Sequence, residues 1–122
     1  MKSVKKTLVL GASPKQDRYS NRAASELMHY GHPVELLGNK KGQIKEQEID
    51  TQAKNYKNID TVTMYLGARN QVEYYQYLIA LNPKRIVFNP GAENPELCKR
   101  LEKNGVECLE ACTLVMLSIG NY

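Results

Sequence analysis

The residues best suited to hold a phosphorylated ligand stand early in the chain: Gly11-Ala-Ser13, Arg18, Tyr19 and Ser20. An unbroken β-favouring run, Thr7–Leu10, ends at Gly11. A polar turn follows, and an amphipathic helix pattern begins near Ser20. Strand, glycine turn and helix is the order in which α/β nucleotide-binding domains turn backbone N–H groups toward a phosphate. Ser13 and Ser20 offer hydroxyl donors, and Arg18 offers a planar guanidinium with several. The stretch is not G-x-G-x-x-G, so the dinucleotide fingerprint is missing. An ordinary loop with an N-cap serine would carry the same residues.

A second loop separates ligand classes. A domain that reads NAD usually has a carboxylate at the end of its second strand, for the ribose 2′-hydroxyl. Here that strand runs into Leu37-Gly38-Asn39-Lys40-Lys41. Two lysines suit a nucleotide carrying an additional phosphate, such as NADP or coenzyme A; a solvated turn is the bland alternative. The third loop, Gly67-Ala-Arg69-Asn70, either faces the same ligand or simply opens a helix. The fourth, Asn89-Pro90-Gly91-Ala-Glu-Asn94, reads as a rigid turn, with Asn94 capping a helix that starts at Pro95.

The elements that must position these loops follow from periodicity. Strands are expected at 7–10, 33–37, 60–66, 85–88 and 106–109, with helices at 20–30, 70–81 and 94–104. Ser20 or Asn21 is the expected cap of the first helix. Val72, Tyr75, Leu78, Ile79 and Leu81 are the expected inward side chains of the second. Residues 38–49 read as a loop with a short extended segment around Ile44. The alternation predicts an α/β fold, a doubly wound, mainly parallel sheet in a single Rossmann-like domain over residues 1–122. In such sheets ligands bind beyond the carboxyl ends of the strands.

Composition narrows the field. With 42% hydrophobic and 25% charged residues, the 122-residue chain has the make-up of a soluble globular protein. Its apolar runs are far shorter than the ~20 residues that span a bilayer, so no membrane role and a cytoplasmic setting are expected. A formal charge of +4 suits a polyanionic small molecule and is too small to argue for nucleic acid. Cys98, Cys108 and Cys112 lack the spacing of a complete metal set, and neither His29 nor His32 supplies the rest, so no metal is expected. The ligand-facing loops hold no nucleophile with its base and no carboxylate pair, so no catalytic residue is assigned. The cluster Tyr74-Tyr75-x-Tyr77 could form an interface between copies and make a homo-oligomer.

Taken in order, Gly11-Ala-Ser13, Tyr19-Ser20-Asn21, Gly38-Asn-Lys-Lys-Gly42 and Asn89-Pro-Gly-Ala-Glu-Asn94 resemble the small bacterial CoA-binding domain proteins. Those are single Rossmann-like domains similar to the CoA-binding part of the succinyl-CoA synthetase alpha subunit. The resemblance implies that Gly11, Ala12, Ser13, Arg18 and Ser20 hold the pyrophosphate of coenzyme A. It sets Asn39 and Lys40 by the adenosine with its 3′-phosphate, and Gly67 and Arg69 along the next strand end. Tyr19, Pro90 and Gly91 complete the expected set. The implied function is binding of CoA or an acyl-CoA as a small-molecule ligand, without catalysis; an NADP-binding small redox protein is the alternative. If either lies at the pocket mouth, Cys108 or Cys112 could form a mixed disulfide with the CoA thiol.

Overall fold

The computed structural model describes residues 3–122. Its centre is a sheet of four-residue strands: β1 (Thr7–Leu10), β2 (Val34–Leu37), β5 (Thr61–Met64), β6 (Arg85–Phe88) and β7 (Glu107–Glu110). Between β2 and β5 lies a small antiparallel hairpin, β3 (Gln43–Ile44) and β4 (Gln47–Glu48). The main strands are all parallel, with Thr7 opposite both Val34 and Thr61, Thr61 opposite Arg85, and Arg85 opposite Glu107. Every residue of β1, β5 and β6 is buried. That explains why these strands, apart from the buried Arg85 that opens β6, read as continuous apolar or β-branched runs and not as alternating ones.

Helices cover both faces. α1 (Tyr19–His29) and α5 (Thr113–Ser118) pack on one side, where Val9, Ala24, Leu27, Leu36, Val87 and Met116 share a cluster. On the other lie α2 (Ala68–Gln71), a 3₁₀ turn (Val72–Tyr74), α3 (Tyr75–Leu81) and α4 (Pro95–Glu102). There Leu8, Val62, Tyr75, Leu78, Ile86, Leu97 and Leu101 form the second cluster. This is the Rossmann-like, doubly wound α/β fold that the alternating pattern predicts.

Strand order is β2-β1-β5-β6-β7. The chain therefore steps outward in one direction from β1 to β2, then crosses back and continues in the other from β5. The reversal point lies between β1 and β5, and the crevice beyond their carboxyl ends is where open parallel sheets bind ligands. The expected strands at 7–10 and 85–88 fall on β1 and β6, and the other three are displaced or shortened by one or two residues at an end.

Four local readings are corrected. α1 begins at Tyr19 with Arg18 as its N-cap and no side-chain capping bond, so neither Ser20 nor Asn21 caps it. Asn21 instead donates its side-chain amide to the Ser13 carbonyl at 2.9 Å. The helix expected at 70–81 is broken by the 3₁₀ turn, and Val72 is 58% exposed. Its buried residues are Gln71, Tyr75 and Leu78, with the expected Ile79 and Leu81 half-buried against the same core, and the Gln71 amide donates to the carbonyls of Leu66 and Ala92, both at 2.8 Å. A polar residue thus occupies a position that an apolar pattern cannot reveal. The last correction is α5, since no element is assigned from the sequence beyond the strand at 106–109.

Candidate functional site

Three strand ends meet at the reversal point. The backbone N–H groups of Gly11 and Ala12 both donate to the Leu37 carbonyl, at 2.8 and 3.0 Å, tying the turn after β1 to the end of β2. Gly11 has φ +99°, a backbone region that favours glycine, and a Cβ there would lie 3.2 Å from the backbone of Tyr65 and Leu66. At Gly38 a Cβ would fall on the Ala12 carbonyl oxygen, well inside contact. Glycine at both positions lets three backbones converge, so the first constraint on them comes from the chain itself.

Above this convergence opens a cleft of about 490 Å³, within the usual range for small-molecule sites. Gly11, Ala12, Ser13, Arg18, Tyr19, Ser20, Asn39, Lys40 and Pro90 all line it. The structure thus brings together expected residues from the ends of β1, β2 and β6. Gly67, Arg69 and Gly91 are exposed and lie outside the lining. Gly67 is the N-cap of α2, Arg69 sits in that helix, and Gly91 belongs to the turn after β6. Lys15, Tyr65 and Leu66 line the cleft without having been anticipated. Tyr65 and Leu66 directly follow β5, so a strand boundary at Met64 in place of residue 66 would have found them.

The cleft is electropositive for two reasons. Lys15, Arg18 and Lys40 are exposed around it. The first turn of α1 carries no acidic residue, and its N-cap side chain makes no capping bond. The first-turn N–H groups and the positive end of the helix dipole therefore face the cleft beside Ser20. Tyr65 also lines the cleft, but its phenol oxygen is buried, without a hydrogen-bond partner among the described residues, near Thr63, Thr113 and Cys112. Burial, ahead of the effect of neighbouring groups, pushes its pKa up to about 12. It stays a neutral donor.

The Asn89–Asn94 loop is built as a brace. The Ala92 N–H donates to the Asn89 carbonyl at 2.8 Å, closing a turn with Pro90 second and Gly91, φ +91°, third. That is the residue order of a type II turn. Asn94 accepts the Leu97 N–H at 3.1 Å, the cap expected before Pro95, and donates to Gln71 and to the Tyr75 hydroxyl, both at 2.9 Å. Only Pro90 of this loop reaches the cleft lining.

Other candidates lie elsewhere. His32 accepts the Lys5 N–H at 3.0 Å, near the amino ends of the strands. The Cys108 thiol, on β7, donates to the Cys98 carbonyl at 3.7 Å, and neither cysteine lines the cleft. Cys112 is the N-cap of α5 and lies near the Tyr65 phenol. The tyrosine cluster splits: Tyr75 is buried, while the half-buried Tyr77 donates to the Lys54 carbonyl at 2.6 Å. A larger groove, about 670 Å³, runs along α1 from Pro14 and Gln16 past Arg22, Glu26 and Leu114 to Tyr30.

The profile of the CoA binding domain family matches residues 5–118. The chain belongs to that family. It is also 44% identical to an uncharacterized protein of known crystal structure, superposing with a TM-score of 0.97 over 99% of this chain and 100% of the other. A protein from Thermus thermophilus shares 18% identity and a TM-score of 0.83, over 98% of this chain and 91% of its own. The dinucleotide-forming acetyl-coenzyme A synthetase 1 of Ca. Korarchaeum cryptofilum, solved with phosphate and ADP, has a TM-score of 0.68 at 15% identity. That match covers 88% of this chain and 25% of the synthetase. At such low identities these last two speak for the fold alone. No curated protein gives a significant match. In this CoA binding domain the family assignment and the electropositive cleft rest on different observations, the first on sequence pattern and the second on where the fold gathers cations. Among the described residues no helix is long and apolar enough to cross a membrane.

Proposed function

We propose that this chain binds coenzyme A, free or acylated, in the cleft at the β1/β5 reversal, and that it performs no chemistry on it. The observation that carries the reading is the uncapped α1 N-terminus ringed by Lys15, Arg18 and Lys40, in a chain of the CoA binding domain family. The pyrophosphate sits against the Gly11–Ser13 turn and the first turn of α1, within reach of Ser20 and Arg18. Lys40, with Asn39, takes the adenosine 3′-phosphate. The pantetheine arm runs past Tyr65 and Pro90 toward Gly67, Arg69 and Gly91, outside the cleft lining, which a long flexible ligand can reach. Asp50, a carboxylate bridged to the end of β2, is held by Tyr56 and Lys54 at 2.6 and 3.0 Å. It is not in the cleft lining, and so does not offer the ribose contact of an NAD site. The setting of this activity is cytoplasmic.

Native mass spectrometry of freshly purified protein, with and without reductant, followed by calorimetric titration with CoA, dephospho-CoA and NADPH, tests the reading. CoA is expected to bind most tightly. Loss of a retained CoA mass under reductant would assign a mixed disulfide, with Cys112 the first cysteine to replace. Uptake of NADPH but not CoA would overturn the proposal.

A further inference from the structure

Away from the cleft, α4 and β7 bring together groups that are far apart in sequence. Cys98 and Glu102 are one helical turn apart on α4 and so share a face. Cys108, on β7, is packed against it. The two sulfurs and a Glu102 carboxylate oxygen all lie within 4.8 Å of one another. Both cysteines are half-buried against the core, while Glu102 is exposed.

We propose that Cys98, Cys108 and Glu102 form a binding site for a thiophilic divalent cation of the zinc class, distinct from the nucleotide cleft. Zinc bound tetrahedrally at ~2.3 Å from each thiolate would set the sulfurs about 3.8 Å apart. Side-chain rotation closing the present spacing by no more than about 1 Å meets that demand. The ligand set is two soft sulfurs and one hard oxygen, with the fourth position open to solvent on the Glu102 side. A three-ligand set with an open position is a known zinc arrangement.

Binding is a proton exchange without redox change. Each thiol gives up its proton to buffer as its sulfur lone pair takes the metal, and the carboxylate adds as a third donor. The Cys108 thiol must also give up its hydrogen bond to the Cys98 carbonyl. Burial first, and then Cys98, Glu102 and Glu107, hold the Cys108 thiol well above the ordinary value. The same local negative charge that disfavours a bare thiolate attracts a divalent cation, so proton and metal compete for one site. The third cysteine, Cys112, serves as an internal control, because it lies beyond β7 at the start of α5.

The test is titration of the reduced whole chain with cobalt(II), followed by zinc. Tetrahedral d–d bands with thiolate-to-cobalt charge transfer are expected, saturating at stoichiometric metal and bleached by zinc. Cys98→Ser and Cys108→Ser should each abolish the charge-transfer band, and Cys112→Ser should leave it intact. Glu102→Gln, at an exposed position, should fold normally and weaken cobalt binding by about tenfold or more. Absence of charge transfer in the wild-type chain, or a band that survives in the Cys98/Cys108 double variant, would overturn the proposal. So would a band lost only with Cys112. CoA titration of the same samples reads the cleft separately, so failure here leaves the nucleotide reading standing, and the reverse.

Discussion

The side chain of Asn89, at the tip of β6, accepts the backbone N–H of Thr113 at 2.9 Å, and that bond locks the start of α5 to the sheet. The same side chain donates to Thr63 Oγ1 at 2.8 Å and to the Met64 carbonyl at 2.9 Å. Thr63 and Thr113 complete the network through their hydroxyls, 2.8 Å apart. All three residues are buried. Asn89→Ala therefore removes three hydrogen bonds and leaves the buried Thr113 N–H unpartnered, at about 1–3 kcal/mol for a group that water cannot reach, while Thr63 keeps Thr113 and the Met64 carbonyl keeps the Asn89 N–H. A loss of about 2–4 kcal/mol in urea unfolding is expected, with a lower midpoint and an unchanged slope. A stability equal to wild type would show that the network is dispensable.

Gly38 and Gly67 separate two reasons for glycine at a strand end. A Cβ at 38 meets the Ala12 carbonyl, whereas at 67 nothing lies within 4 Å and the backbone is an ordinary N-cap conformation. Gly38→Ala must push β2 and the β1 turn apart, and should cost about 2 kcal/mol or more through backbone strain. Gly67→Ala loses only a modest capping preference, about 1 kcal/mol or less. Thermal melts of the two variants side by side check the contrast. Gly38→Ala should also lower CoA affinity, since it deforms the floor of the cleft.

The sheet was readable because β1, β5 and β6 are buried on both faces, which writes them into the sequence as unbroken runs. The cleft was readable where loops follow strands whose ends were placed well, as at Gly11, Asn39 and Pro90. It was misread beyond β5, where extending the strand past Met64 hid Tyr65 and Leu66 inside an element. α5 escaped notice because its anchors lie far away in sequence. Thr113 is held from Asn89, and Tyr122, just beyond the helix, reaches back to Thr7 at 2.6 Å between hydroxyl oxygens. The inward Gln71 was hidden for a related reason: its partners, Ala92 and Asn94, belong to a later loop.

The charges around the cleft predict a ligand-specific pattern. Arg18 and Lys40 are exposed, so their loss should leave the melting temperature within the small range of surface substitutions. Arg18→Ala should weaken CoA and dephospho-CoA alike, by roughly tenfold, about 1.4 kcal/mol. Lys40→Ala should weaken CoA by a similar factor and barely alter dephospho-CoA, because only the former carries the 3′-phosphate. Calorimetry at two salt concentrations checks both, and the wild-type preference for CoA should shrink as salt rises. Equal effects of Lys40→Ala on the two ligands would move the 3′-phosphate away from the β2 loop.

His32 makes stability depend on pH. Burial first, and then the positive charges of Lys5 and Arg85, lower its pKa below the ordinary 6.5, with Asp60 opposing. Its Nδ1 accepts the Lys5 N–H, a bond that needs that nitrogen unprotonated, and its ring lies 5.0 Å from that of Tyr122. The unfolded chain therefore takes up this proton before the folded one does. The stability due to neutral His32 is complete above pH 6.5 and is lost as the pH falls from there toward the lower folded-state value. Melting temperatures taken from pH 7.5 down to about 5.5 should fall over that window, before the carboxylates titrate. His32→Asn keeps an acceptor for Lys5 but cannot take up a proton in this range, so its profile should be flatter. A variant that reproduced the wild-type slope would assign the dependence to another group.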